Sequence, residues 1–81
     1  MRIVPIDGER FNLCGYRVRE ARQRAGISQD ELSVQLQLRG LQVGQMAVSR
    51  METGKRIVPD YELPILADAL RVTVEWLLGK E

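Results

Sequence analysis

Residues 25–56 read AGISQDELSVQLQLRGLQVGQMAVSRMETGKR, and the phasing of this stretch decides the fold. Ser28 followed three residues later by Glu31 has the form of a capping box, in which each side chain can satisfy a backbone N–H of a new helix. Ile27, just before the cap, is placed as a hydrophobic staple, and Leu32 and Leu36 repeat at i, i+4 on one helical face. A helix therefore runs to about residue 38. Residues 39–44 hold two glycines and read as a connection, in which Leu41 and Val43 alternate with polar neighbours and can tuck onto a core. Residues 45–53 form a short further helix with Val48 and Met51 facing inward at i, i+3. Gly54 ends it, and residues 55–59 form a loop.

The helical period continues on both sides. Upstream, Cys14, Val18, Ala21 and Ala25 fall on one face, with Asn12 placed to cap the start and Gly26 to end the helix. Downstream, Leu63, Leu66, Ala67 and Leu70 mark a fourth helix. Proline is comfortable only in a first turn, so Pro64 sets the start of this helix near residues 60–63, with a distorted first turn. Thr73 caps a fifth, short helix over residues 74–78, where Trp76, Leu77 and Leu78 supply apolar mass and Gly79 follows. The expectation is an all-α bundle of five helices in which the turn between the second and third is lengthened. The organisation is an arm over residues 1–11 and one domain over residues 12–81.

Composition narrows the function classes. The 81 residues fit one domain, and 44% hydrophobic with 28% charged residues is ordinary for a globular chain. With no histidine and one cysteine, Cys14, histidine catalysis is excluded, and neither a zinc site nor another metal or cofactor is expected. Cys14 reads as a small core hydrophobe. The carboxylates are scattered, without a nucleophile, base and orienter in view, so the chain is not expected to be an enzyme. No apolar run is long enough to span a membrane and the start lacks a secretory pattern, so the expected compartment is the cytoplasm. The net charge is only +1. Locally the balance differs: Arg17, Arg19, Arg22 and Arg24 outweigh Glu20, and Arg39, Arg50, Lys55 and Arg56 outweigh Glu52. Asp60, Glu62, Asp68, Glu75 and Glu81 outweigh Arg71 and Lys80. A basic side and an acidic side follow, or else ordinary solvated charge.

Three blocks in order, VREARQRAGISQDEL (18–32), VSRMETGKR (48–56) and LADALRVTVEWLLG (66–79), resemble the lambda-repressor-like Cro/repressor family, also called XRE. The resemblance spans residues 12–79 and implies a helix-turn-helix domain that binds double-stranded DNA as a small, repressor-like transcription regulator of a bacterium or phage. Its one departure is the stretch 37–44, several residues longer than the family's tight turn. The resemblance places Gln45, Met46, Ala47 and Arg50 at base-facing positions, Gln29 on the DNA backbone, and Arg22 with Glu52 in a salt bridge between the first and third helices. The residue chemistry agrees with such a reader: glutamine can pair bidentately with adenine, arginine with guanine, and Ala47 or Met46 can touch a thymine methyl. Ser49, on the same outward face, and Lys55 and Arg56, in the loop beyond, are assigned to phosphates.

One short reader helix has little specificity against a genome, so a homodimer on a palindrome is expected; the resemblance to the phage repressors implies a contact that is weak in the absence of DNA. That contact is assigned either to the C-terminal helix with Trp76, Leu77 and Leu78 or to the loop around Ile57 and Val58, whose apolar residues exceed what a loop needs. The alternatives are an antitoxin-type or other protein-interaction module, in which DNA is secondary to a protein partner, and a dimerising domain that no longer binds DNA.

Overall fold

The computed structural model describes residues 10–81; the rest of the expected arm, residues 1–9, lies outside them. In chain order the elements are α1 (Gly15–Ala25), α2 (Gln29–Leu38), α3 (Gln45–Glu52), a 3-10 turn (Asp60–Glu62), α4 (Leu63–Leu70) and α5 (Val74–Leu77). The described residues thus form a five-helix, all-α bundle. Each start has a local cause. Ser28 Oγ accepts from Glu31 N–H at 3.0 Å while the Glu31 carboxylate accepts from Ser28 N–H at 2.9 Å, the reciprocal capping box. Thr73 Oγ1 accepts from Trp76 N–H at 3.0 Å at the start of α5. Pro64 lies in the first turn of α4, just after the tighter 3-10 turn.

The core is where these helices converge. Val18 of α1, Leu32 and Leu36 of α2, Val48 and Met51 of α3, Leu66 of α4 and Leu77 of α5 are fully buried. α3 packs on both α1 and α2, and α4 packs on α1, α2 and α5. The lengthened connection does not displace α3, because Leu41 and Val43 are buried and anchor it. Leu41 N–H donates to Leu36 O, Gln37 Nε2 donates to Val43 O at 2.7 Å, and Arg39 Nε meets Asp68 of α4 at 2.7 Å.

The N-terminal boundary differs from the sequence expectation in two ways. Regular α1 starts at Gly15, so Asn12 caps from outside the helix: its Oδ1 accepts from Gly15 N–H at 2.8 Å. Its Nδ2 also donates to Met51 O and Arg56 O, which ties the start of α1 to the end of α3. Packing begins before residue 12. Phe11 N–H donates to Gly54 O at 2.7 Å, Arg10 Nη2 donates to Glu52 O at 3.1 Å, and the Arg10 guanidinium stacks on the Tyr16 ring. Two glycines make this seam possible. A Cβ at Gly15 would collide with the Met51 carbonyl, and one at Gly54, whose φ is +78°, would collide with the Arg10 side chain.

Cys14 sits at the base of this seam, 1% exposed, and burial pushes its thiol up from the ordinary value near 9 to about 11. The unfolded chain sheds the thiol proton near pH 9 while the folded chain keeps it until about 11. This contribution to stability is whole below pH 9 and is lost as pH rises through 11. Across that window the wild type should lose roughly 2 kcal/mol more than Cys14→Ala, since each unit is worth about 1.4 kcal/mol. Parallel denaturant midpoints for the two proteins between pH 8 and 11 would contradict it.

Candidate nucleic-acid interface

The amphipathic phase of α3 divides its residues. Val48, Met51 and Glu52 turn inward; Gln45, Met46 and Arg50 are exposed, and Ala47 and Ser49 are half-buried at the edge. Met46 is 62% exposed, a large apolar side chain left in water beside polar neighbours. α3 is capped by Gly44, which has no side chain, so nothing covers its first-turn N–H groups from the cap position. The N-terminus of α2 lies alongside: Gln45 Nε2 donates to Gln29 Oε1 at 2.6 Å. Gln29 Nε2 in turn donates to Glu52 Oε1 at 3.1 Å.

Glu52 is the hub of this row. Arg22 of α1 grips it with two parallel bonds, Nε to Oε2 at 2.6 Å and Nη2 to Oε1 at 3.0 Å, and Arg22 Nη1 donates to Ile27 O at 2.9 Å. Glu52 is 4% exposed, so the pair is largely desolvated. The hydrogen bond to Glu52 shifts the Arg22 guanidinium up from an already high pKa, and burial opposes it only in part. The chain Arg22–Glu52–Gln29–Gln45 therefore joins α1, α3 and the start of α2 through polar contacts. Glutamine has two amide hydrogens and a carbonyl with two lone pairs. Gln45 keeps one N–H and its carbonyl unspent by this chain, and Gln29 keeps one N–H.

The basic residues after α3 divide between two roles. Lys55 is exposed. Arg56 instead turns toward the protein: Nη1 and Nη2 bind the two oxygens of Glu62 at 2.6 and 3.0 Å, and Nη1 also donates to Ile57 O. Glu62 is 2% exposed, and its hydrogen bonds shift the Arg56 guanidinium upward. The Arg56 guanidinium, expected on phosphate, is thus bound to a buried carboxylate. Sequence reading missed the pair because residues six apart across a loop have no helical or strand phase. Arg50, by contrast, forms no ion pair with the described residues.

The surface assigned to a dimer contact is also revised. Ile57 is 43% exposed and Val58 is half-buried, as are Trp76 and Leu78. Leu77 is fully buried in the protomer's own core, so it is withdrawn from that surface. The Trp76 ring lies under the guanidinium of Arg17 of α1, 4.4 Å from its centroid.

Among the described residues no group of three or more histidine, cysteine, aspartate or glutamate side chains could hold a metal, and no helix is long and apolar enough to cross a membrane.

Residues 18–77 match the model of the helix-turn-helix family HTH_3. Among solved structures, the chain resembles the P22 c2 repressor in complex with a synthetic operator, with TM-score 0.70 and 26% identity over 86% of this chain and 98% of that one. It resembles the restriction-modification controller protein C.AhdI from Aeromonas hydrophila, with TM-score 0.66 and 33% identity over 78% and 84% of the two chains. A hypothetical transcription factor, NHTF, from Neisseria aligns with TM-score 0.71 and 27% identity over 96% and 84%. No curated protein sequence matches significantly.

Proposed function

The chain belongs to the XRE-type (Cro/repressor) helix-turn-helix family, and on that premise we propose that it is a sequence-specific double-stranded DNA-binding regulator, not an enzyme, that enters the major groove with α3. The observation that carries this is the exposed polar face of α3 beside the capped start of α2, the two joined through Gln45 and Gln29. The P22 c2 repressor, solved on a synthetic operator, supports DNA as the partner. In this reading the unspent N–H and carbonyl of Gln45 meet adenine, whose major-groove edge offers one acceptor and one donor. Arg50 pairs with guanine, and Met46 or Ala47 lies against thymine methyls. The spare N–H of Gln29, at a helix start that favours anions, meets a phosphate, as do Ser49 and Lys55. Repressor-like action in the cytoplasm of a bacterium or phage-infected cell is the corresponding role.

Two protomers bind a palindrome, with half-sites about 34–36 Å apart, through Ile57, Val58, Trp76 and Leu78; the dimer is weak without DNA. Selection from a random duplex pool tests the reading. The wild type should recover a palindrome saturated by two protomers. Gln45→Ala and Arg50→Ala should each lose about 1–3 kcal/mol and relax preference at one position per half-site. Lys55→Ala should weaken all sequences alike and flatten the salt dependence. Unchanged preference in both α3 variants would exclude α3 as the reader.

A further inference from the structure

We propose that Gln42, in the lengthened turn, is an additional DNA-contacting residue whose side-chain amide donates to a phosphate at the rim of the groove that α3 enters. The inference rests on the reading of α3 above and adds to it a contact on the segment by which this chain departs from its family's tight turn.

Between Arg39, whose guanidinium bridges to Asp68, and the start of α3, Gln42 is the one exposed residue with a side chain. Leu41 and Val43 on either side of it are buried, whereas Gln42 is exposed. Val43 N–H donates to Leu41 O at 3.0 Å, which closes a three-residue turn with Gln42 at its apex. That turn is held from three directions. Gln37 Nε2 clamps Val43 O at 2.7 Å, Leu41 N–H bonds Leu36 O, and Arg39 bridges to Asp68. The ordering entropy of the segment is thus met by folding, so a contact there binds with little further loss. Gln42 precedes Gln45 by three residues, so its backbone lies within about 11 Å of the first proposed base-reading position. A residue just upstream of a helix that points its start into a groove meets the strand bounding that groove, where phosphate oxygens accept hydrogen bonds from neutral amides. Glutamine at the apex donates without carrying charge, so its contribution is independent of counterion release.

The test uses the full chain and the duplex recovered by selection. Gln42→Ala should weaken binding by about tenfold on every sequence, with the site preference and the salt slope both unchanged. Gln42→Lys places a cation against the same phosphate and should steepen the slope of log K against log salt by about 0.9 per protomer. Glu81→Gln adds the same unit of charge at the C-terminus and should leave the slope as in the wild type. Thermal midpoints of all three variants should stay near the wild type, since both sites are exposed. Wild-type binding with a Gln42→Lys slope equal to that of Glu81→Gln overturns the inference alone. Failure of the wild type to bind duplex DNA overturns the reading of α3 and this inference with it.

Discussion

Glu52→Ala should lower the stability of the domain by about 3–5 kcal/mol, because it leaves the Arg22 guanidinium, its side chain only 12% exposed, without its carboxylate. A domain of this size has roughly 4–12 kcal/mol in all, so a large part of the margin disappears. At about 4–8 °C per kcal/mol, the thermal midpoint should fall by well over 10 °C. The contrast is Glu20→Ala, which removes the exposed Glu20–Arg24 pair one turn apart on α1. Such surface pairs are worth about 0.3–0.5 kcal/mol, so its midpoint should hardly move. Breaking the buried pair and its intrinsic worth are separate quantities: replacing both partners with apolar residues of similar volume, Arg22→Met with Glu52→Leu, should recover much of the loss. Glu52 also accepts from Gln29, which in turn orients Gln45. The double variant should therefore be folded and still read DNA less well than the wild type. Equal midpoints for Glu52→Ala and Glu20→Ala would refute the architecture.

Arg56→Ala should be nearly as damaging, also by about 3–5 kcal/mol, because it strands Glu62 at 2% exposure. The alternative, that Arg56 acts on DNA, makes the opposite forecast of unchanged stability with a flattened salt dependence. A second substitution separates them. Glu62→Gln in the Arg56→Ala background removes the orphaned charge while keeping the shape, and should return part of the lost stability. Arg56→Lys should rescue poorly, because an ammonium cannot reproduce two parallel bonds to one carboxylate. A stable Arg56→Ala protein would return this arginine to the phosphate-contacting set.

What the sequence made legible follows from the range of each interaction. The capping box at Ser28 and Glu31 lies within one turn, so spacing alone exposes it. The burial of Leu41 and Val43 was visible as alternation inside a polar stretch. The Arg22–Glu52 pair spans 30 positions and was read only through resemblance, since no local period links those residues. The Arg56–Glu62 pair and the stitching of Arg10, Phe11 and Asn12 to the end of α3 carry no local signature and are not among the contacts that the three blocks' resemblance implies. Leu77 was misplaced for a different reason. Three consecutive apolar residues at the end of a four-residue helix cannot be phased, and only packing decides that Leu77 points inward while Trp76 and Leu78 flank it. The proposed reader is legible to the same degree as α3 itself, because Val48 and Met51 fix which face is left for solvent.

The central claim is that one face of this domain, α3 with the start of α2, meets DNA. Amide chemical-shift mapping during titration with the selected duplex tests it most directly. Perturbations concentrated at residues 28–30, 42–50 and 55, on the wild-type chain and at stoichiometric duplex, are the predicted result. Perturbations confined to α4 and α5, with residues 45–50 unmoved, would contradict the account.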